Sequence, residues 1–389
     1  MIINALIIFF LTLSLIQELF YIYFKREINY SDIYNFFTHF QETFESFFTL
    51  WNMFIIPFLA FSVAILILFF IKSKNLKYLI LLLLFTLNFN LIIQSLNLSS
   101  SIINLPSEKE TQLHIKRDTN TNIILIIGES MKYNDYVQNR LKKQNFYFSK
   151  IYTGATNTDI AIPLLLNTKT NQLKLTSKNK TNLFHLAKRN NYKTSFISIQ
   201  TDRSLQYIKP YLQLTMIDNY KTYTKQNRKP KYDFNLLDDL KKIDFKEKNF
   251  IVLQQIGQHS PYIYHPHSNP SYNKSIDYSF KLYKKIHQYL QKTRQPFIML
   301  YLSDHGEFSG EGGRWGHNTF EKTIYEVPFF ITSNIPIPKQ YKKIKSHYHV
   351  AQFLTYILGF YTKLNLSCEK HIINGTMMSR EDGFIEIDN

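Results

Sequence analysis

The chain has 389 residues, enough for one large domain or two smaller ones, and its formal net charge is +17. Residues 1–100 carry five basic and five acidic side chains, so the whole positive excess lies in residues 101–389. Such a basic part suits an anionic partner: a membrane surface, a phosphorylated lipid or a nucleic acid. The one cysteine, Cys368, excludes a fold held together by intramolecular disulfides.

Residues 1–98 are predicted to form a membrane domain, because three apolar segments there approach the length of a membrane-spanning helix. The three segments are residues 2–24, 51–71 and 78–93. The start lacks the basic and small-residue signals of a cleavable signal peptide. A phenylalanine-rich segment at 34–50 is expected to lie along the outer interface as an amphipathic helix.

The orientation of this membrane domain follows from its basic residues. Lys72, Lys74 and Lys77 lie in the link between the second and third spans and favour a cytoplasmic position for it. The chain beyond residue 100 is then on the outer side, and Lys25 and Arg26 argue weakly against this orientation. The prediction is a multi-pass protein of the inner membrane with its larger domain outside.

A polar linker is predicted at 99–121, and a second domain at 122–389, where short apolar runs alternate with stretches of helical spacing. The runs that predict strands are 122–127, 195–199, 250–255, 297–302 and 327–331. The stretches that predict helices are 182–190, 234–243 and 272–292. This alternation predicts an α/β domain with a mostly parallel central sheet between helices.

Polar side chains follow three of the predicted strands. Glu129 follows the first, His259 lies in a Gly-Gln-His-Ser-Pro segment after the third, and Asp304-His305-Gly-Glu follows the fourth. Because sites in open α/β sheets form at the carboxyl edge of the strands, these side chains are expected to lie together. Carboxylates with one imidazole suit zinc or manganese rather than a metal selected by thiolates.

A hydroxyl-rich turn at residues 153–163 supplies a candidate nucleophile. It reads Thr-Gly-Ala-Thr-Asn-Thr-Asp-Ile-Ala-Ile-Pro and contains Thr158. A divalent metal lowers the pKa of a bound hydroxyl much as it does for water. A threonine at the open position of such a metal site would therefore be activated for attack.

These motifs, in this order and spacing, resemble those of the lipid A phosphoethanolamine transferases, which belong to the alkaline phosphatase/sulfatase superfamily. The resemblance covers roughly residues 120–335 and the membrane-anchored layout. The matching segments are Gly128-Glu129-Ser130, Thr158 with Pro163, Gly257-Gln258-His259-Ser260-Pro261, and Asp304-His305-Gly306-Glu307 with His317. A weaker similarity lies at Tyr232-Asp233.

The resemblance implies a role for each matched residue. Glu129, Thr158, Asp304 and His305 would hold zinc, with manganese as the alternative and room for a second metal ion. Thr158 would be the nucleophile that takes phosphoethanolamine from phosphatidylethanolamine through a phospho-threonine intermediate. His259 and His317 would lie on the substrate side, where they help to protonate the departing diacylglycerol and bind phosphate or the second metal.

The implied acceptor of phosphoethanolamine is lipid A or another cell-surface glycan, reached from a periplasmic catalytic domain. The implied partners are therefore membrane lipids and the membrane itself, and nucleic acid is not predicted as a partner.

The sequence also departs from the family pattern. The family's nucleophile loop reads Cys-Gly-x-x-Thr with bracketing cysteines, whereas Thr153 and Leu164 occupy those positions here. Counting back from Pro163 selects Thr158, but counting on from Gly154 selects Asn157, which cannot act as a nucleophile; Thr156 is the alternative. Three predicted spans in place of the usual five leave the acceptor open.

Two other functions remain open from the sequence. A phosphoglycerol transferase of the lipoteichoic acid synthase type would use a similar metal site, and an inactive membrane scaffold would keep the fold without the metal. Each of these residues also has a purely structural alternative. Glu129 could cap a helix and Thr158 could belong to an ordinary turn. His259 and His317 could be core or surface residues. Glu307 is left open between supporting the site and being solvated.

Overall fold

The computed structural model describes the residues 2–24, 55–89, 113, 119–144, 146–170, 175, 178–266, 269–360, 370–376 and 383–388. The chain divides into two compact units. The first comprises Met1–Asn104 with Phe308–Gly316, and the second comprises Leu105–Glu307 with His317–Asn389. The predicted linker at 99–121 lies mostly outside the described residues, and the predicted domain boundaries stay predictions.

The described residues of the first unit form three apolar helices: α1 (Ile2–Phe24), α2 (Ile55–Phe70) and α3 (Lys74–Leu87). They meet through the buried side chains of Ile7, Phe10, Leu68 and Leu84. Buried Asn88, just beyond α3, donates its side-chain amide to the backbone carbonyl of Phe10 and to the Ser14 hydroxyl of α1. This unit also includes the short hairpin of β7 (Phe308–Ser309) and β8 (Trp315–Gly316).

Within the described part of the chain, one helix is long and apolar enough to cross a membrane, over Ile2–Tyr21. This helix fits the predicted membrane anchoring. Helices α2 and α3 have 16 and 14 residues, fewer than the roughly 20 that a span needs. The described residues therefore do not support the predicted multi-pass arrangement. The predicted interfacial helix at 34–50, Lys25 and Arg26 lie outside them.

The second unit is built on one seven-stranded sheet. In spatial order its strands are β2 (Tyr147–Tyr152), β9 (Glu326–Ser333), β6 (Phe297–Ser303), β1 (Asn122–Gly128), β5 (Asn249–Gln254), β3 (Lys193–Ser198) and β4 (Asn219–Lys221). The five strands from β6 to β4 run parallel, and β9 is antiparallel to both of its neighbours. A mostly parallel sheet confirms the predicted fold class.

The central position of β1 follows from its sequence. All seven of its residues are buried, and five successive residues from 123 to 127 are Ile or Leu, which is typical of a strand covered on both faces. Its register pairs Ile127 with Gln254 of β5 and Gly128 with Ser303 of β6. The residues that follow these three strands therefore emerge together at one edge of the sheet.

Eight helices in the described residues of this unit connect the strands. They are α4 (Asp135–Lys142), α5 (Thr158–Leu166), α6 (Leu183–Arg189), α7 (Lys209–Leu212), α8 (Phe234–Leu240), α9 (Tyr272–Thr293), α10 (Lys322–Tyr325) and α11 (His347–Ile357). Most begin at a polar cap, as α9 does at Ser271, whose hydroxyl accepts from the backbone N–H of Lys274. A separate two-stranded sheet joins β10 (Lys370–Asn374) to β11 (Phe384–Asp388).

The five predicted strands and three predicted helices are all present, with ends that differ by at most three residues. The prediction missed β2 and β4 of the central sheet, the short strands β7, β8, β10 and β11, and the helices α4, α5, α7, α10 and α11. Strand β2 is only half-buried, and β4 has three residues, so neither carries the continuous apolar run that marks the central strands.

Candidate active site

The carboxyl edge of the sheet gathers the polar residues that the sequence singled out. Glu129 follows β1, Asp304 and His305 follow β6, and His259 lies in the loop after β5. Thr158 reaches the same place as the first residue of α5. The fold thus brings together side chains separated by up to 176 positions in the chain.

Glu129, Asp304 and His305 form a buried cluster of potential metal ligands. One ligand atom from each lies within 4.8 Å of the other two. His305 Nε2 is 3.5 Å from Glu129 Oε1 and 3.4 Å from Asp304 Oδ2. We refer to these three residues as the triad.

The Thr158 hydroxyl contacts all three members of the triad. Its Oγ1 donates to Asp304 Oδ2 at 2.6 Å and lies 3.1 Å from Glu129 Oε1 and 3.0 Å from His305 Nε2. Asn157 caps α5 by accepting from the backbone N–H of Asp159 at 2.7 Å. Thr158 therefore sits at the positive end of the helix dipole, where negative charge on an attacking oxygen or a phosphate is stabilised.

Neighbouring donors orient the triad. Asp304 Oδ1 accepts from the backbone N–H of Ser130 at 3.0 Å and of His305 at 2.7 Å. Gln200 donates to Glu129 Oε2 at 2.6 Å. His305 Nδ1 lies 2.9 Å from the carbonyl of Gly306, so it carries the proton and donates it there. That tautomer leaves the lone pair of Nε2 directed into the triad, as a metal ligand requires.

Burial shifts the protonation equilibria of the triad. It lowers the pKa of His305 to about 4, so the imidazole is neutral at neutral pH. Burial also raises the pKa of Asp304, although hydrogen bonds from Thr158, Ser130 and the His305 backbone act to lower it. Two carboxylates that are costly to bury as anions, beside a neutral imidazole, fit a bound divalent cation, whose charge would offset that cost.

His317 lies beside the triad, with its ring centroid 4.1 Å from that of His305 and the two rings tilted by 34°. Its Nδ1 donates to the carbonyl of Thr156 at 3.0 Å. Burial first, then His305 and His259, hold the pKa of His317 well below its usual range. His317 is therefore neutral, with Nε2 free of the proton.

The His259 loop is held by buried Asp233, which the sequence offered only as a weak similarity. The Asp233 carboxylate accepts from the backbone N–H of Ile256 at 2.9 Å and of Gly257 at 3.1 Å. It also accepts from the side chain of Gln255 at 3.1 Å, and burial raises its pKa to about 6. Asp233 thus shapes the loop that carries His259.

Gly257 explains why that loop lies so close to Glu129. Its φ is +47°, and an added Cβ would lie 2.9 Å from the Glu129 carbonyl oxygen and 3.0 Å from its nitrogen. The next residue, Gln258, donates its backbone N–H to the same carbonyl at 3.0 Å. Only glycine allows this approach without strain.

Two further residues lie at the site: Gln200, which the sequence did not indicate, and Glu307, whose role the sequence left open. Gln200, which contacts Glu129, follows β3 by two positions, so its place after a strand was the available signal. Glu307 is buried, and burial raises its pKa to about 8, although a hydrogen bond from the Ser130 hydroxyl and the positive charge of Lys132 act to lower it. It is therefore not solvated, which answers the question that the sequence left open.

The alternative nucleophile, Thr156, occupies a different position. Its hydroxyl is buried and has no hydrogen-bond partner among the described residues. The geometry thus places Thr158, and not Thr156, against Glu129, Asp304 and His305. Cys368 lies outside the described residues.

Comparison with known proteins places this site in context. Residues 121–361 match the Sulfatase family model. The phosphoethanolamine transferase EptA of Helicobacter pylori is 27% identical over 162 residues, which are 33% of this chain. The chain covers 31% of that relative's length.

Solved structures of phosphoethanolamine transferases are among those that share the fold. The integral membrane lipooligosaccharide phosphoethanolamine transferase A (EptA) from Neisseria meningitidis aligns with a TM-score of 0.61 at 16% identity, over 94% of this chain and 87% of that one. The C-terminal periplasmic domain of EptC from Escherichia coli, solved in complex with Zn, aligns with a TM-score of 0.56 at 17% identity, over 72% of this chain and 96% of that one. These alignments confirm the predicted α/β fold with its mostly parallel central sheet.

Proposed function

Because the chain belongs to the sulfatase family, within the alkaline phosphatase superfamily, and is homologous to phosphoethanolamine transferases, we propose that it transfers phosphoethanolamine from phosphatidylethanolamine. The observation that carries the proposal is the Thr158 hydroxyl, held within 2.6–3.1 Å of Asp304, His305 and Glu129. A threonine so placed is suited to serve as a nucleophile that carries the group between two substrates.

The triad and Thr158 would hold the metal. Two carboxylate oxygens, one imidazole nitrogen and one hydroxyl match the ligands that zinc accepts, with manganese as the alternative. A bound divalent cation would lower the pKa of the coordinated hydroxyl and polarise a phosphoryl oxygen. The zinc complex of the E. coli EptC domain supports this choice of metal.

In the first half-reaction, Thr158 Oγ1 gives up its proton along the 2.6 Å hydrogen bond to Asp304 and attacks phosphorus. The new Oγ–P bond forms as the bond from phosphorus to the diacylglycerol oxygen breaks. The diacylglycerol oxygen leaves on the side of His259 and takes up a proton there. A phosphoethanolamine ester of Thr158 remains.

In the second half-reaction, an acceptor hydroxyl or phosphate on lipid A or another surface glycan attacks the same phosphorus. The bond from phosphorus to Thr158 Oγ breaks, and that oxygen takes back the proton held by Asp304. The tautomer of His317 gives that residue a specific part. Because its Nδ1–H donates to Thr156 and the ring is neutral, Nε2 is suited to accept the acceptor's proton or to bind a second cation. His259 is the proposed proton donor to diacylglycerol.

The proposed location is the inner membrane, with α1 as anchor and the catalytic domain in the periplasm. Attachment beside the bilayer raises the local concentration of a lipid donor. The apolar helix over Ile2–Tyr21 supports this arrangement.

The test is mass spectrometry of the detergent-purified chain after incubation with zinc and phosphatidylethanolamine. The proposal predicts a phosphoethanolamine adduct on the peptide that carries Thr158, with release of diacylglycerol. The Thr158→Ala variant should form no adduct, whereas Thr156→Ala, the matched control, should form it.

Other outcomes identify other functions. An adduct formed from phosphatidylglycerol alone would make the protein a phosphoglycerol transferase. Absence of an adduct with either lipid, together with absence of bound zinc or manganese, would leave the inactive membrane scaffold. An adduct on Thr156 would move the nucleophile to that residue.

A further inference from the structure

The turn that leads into Thr158 pairs with a strand near the end of the chain. The backbone N–H of Thr156 donates to the carbonyl of Asn374 at 2.9 Å, and the backbone N–H of Asn374 donates to the carbonyl of Gly154 at 2.9 Å. Ala155 and Asn374 thus form a parallel β-bridge. Asn374 is the last residue of β10, beyond residue 361, where the family match ends.

The side chain of Asn374 strengthens this pairing. Its Nδ2 donates to the carbonyl of Gly154 at 2.8 Å and to the carbonyl of Thr170 at 2.9 Å. The residue is fully buried, so these bonds form away from water. One side chain therefore ties the turn before α5 to the segment after it.

The other side of the same turn contacts the site. The carbonyl of Thr156 accepts from His317, while its N–H donates to Asn374, so this one residue is held from two directions. Ala155 is fully buried and packs with Ile160 and Ala161 of α5. The start of α5, and with it Thr158, therefore has little freedom to move while β10 stays paired.

We propose that Asn374 is a positioning residue for Thr158, which holds the turn at residues 154–156 so that the Thr158 hydroxyl meets the triad. This inference rests on the proposed role of Thr158 as the nucleophile. The reason for expecting an effect on rate is geometric: small displacements of a reacting group cost rate steeply, even when they arise away from the chemistry.

Two substitutions test the role of the side chain. Asn374→Ala removes both donors and leaves a small cavity, whereas Asn374→Leu removes the donors and keeps the branched shape and the number of side-chain heavy atoms. Asn374 Oδ1 accepts no hydrogen bond from the described residues, so each variant loses only donated bonds. Asn249→Ala is the matched control. Asn249 is a buried asparagine at the start of β5, at the amino edge of the sheet, and its amide donates to the Asp244 and Glu247 carbonyls and to the Asn122 side chain.

Three measurements are made on the detergent-purified, zinc-loaded full chain: the single-turnover rate of adduct formation on Thr158, the melting temperature, and hydrogen exchange of a peptide spanning 153–160. We expect both Asn374 variants to slow adduct formation about 10- to 100-fold and to speed exchange at Thr156, with bound zinc unchanged. Asn249→Ala should lower the melting temperature while its rate stays within about twofold of the original.

The outcomes separate the inference from the proposed function. Original rates in both Asn374 variants, or an equal loss in Asn249→Ala, would overturn the positioning role. If the original chain forms no adduct, the proposed function fails. In that case hydrogen exchange still tests whether Asn374 holds the turn at residues 154–156. Faster exchange at Thr156 in the Asn374 variants would support this holding role, and unchanged exchange would overturn it.

Discussion

Gln200 Nε2 lies 2.6 Å from Glu129 Oε2, so a residue after β3 reaches across β5 to hold a residue after β1. This contact leaves Glu129 Oε1 facing Thr158 and His305. Partners of this kind, which orient a metal ligand without touching the metal, usually contribute strongly to metal affinity.

We expect Gln200→Ala to weaken zinc binding by about 10- to 100-fold, because Glu129 loses the donor that fixes its rotamer. Titration of the purified chain against a chelator of known affinity would measure this. Gln138→Ala is the control, since Gln138 is a partly buried glutamine that donates to the Tyr133 hydroxyl. Equal zinc affinity in the Gln200 variant and the original chain would show that Glu129 needs no such support.

Gly257→Ala tests the close approach of the His259 loop to Glu129. The added Cβ would meet backbone atoms of Glu129 at 2.9–3.0 Å in addition to the strain of a positive φ. We expect a loss of about 3 kcal/mol or more of stability and a loss of zinc, because the backbone of a metal ligand must shift.

Gly383→Ala is the matched comparison for this substitution. Gly383 also has a positive φ, +79°, but open space where the Cβ would lie. Strain alone should cost about 1 kcal/mol there, with zinc retained. Similar melting temperatures and zinc contents in the two variants would mean that the approach to Glu129 is not tight.

Asp233→Asn should disturb the His259 loop and spare the triad. The carboxylate accepts from three N–H donors, and an amide would turn its own N–H₂ group toward one of them. We expect transfer to slow by about tenfold or more with zinc content unchanged. Asp239→Asn is a control at another buried aspartate, one that pairs with Lys221 and Lys242. Equal slowing in both variants would reveal only a general loss of stability.

The stability of the folded chain is expected to depend on pH because of His349. Burial first, and then His371 of β10, lower the pKa of His349 to about 4 in the folded chain. The unfolded chain takes up this proton near its ordinary pKa of about 6.5, so the contribution of His349 to stability is present above that pH and is lost as the pH falls toward 4.

His349→Gln should remove that loss, since glutamine keeps an acceptor for the backbone N–H of Lys345 but does not titrate. We compare the fall in melting temperature between pH 7.5 and pH 4.5. This fall should be about 3–6 °C smaller in the variant than in the original chain. Parallel curves across this range would show that His349 does not carry the effect.

The predictable part of the fold consists of elements with a strong local signal. Strands β1, β5 and β6 are continuous apolar runs, and burial on both faces leaves them few other positions than the centre of a sheet. Helix α9 also has a strong local signal, because its buried residues recur at helical spacing along one face over 22 residues. Short or half-buried strands such as β4 and β2 lack this signal and were missed.

The membrane-spanning helices predicted in the first unit show a similar limit of prediction from local sequence. Apolar composition alone predicted three, but the described helices α2 and α3 are shorter than a membrane requires. In the described α2 and α3, Leu68 and Leu84 are buried and pack with α1, whereas most of the other large apolar side chains are exposed.

The sequence by itself determined which residues stand at the ends of the central strands, because an apolar run that stops at Glu129 or at Asp304-His305 leaves those side chains at the carboxyl edge. Only the tertiary structure decided which partners meet them there. Gln200, Asp233 and Asn374 come from distant segments, brought to the site by the strand order and by β10. Such contacts depend on how the chain crosses between strands, which local patterns of residues do not encode.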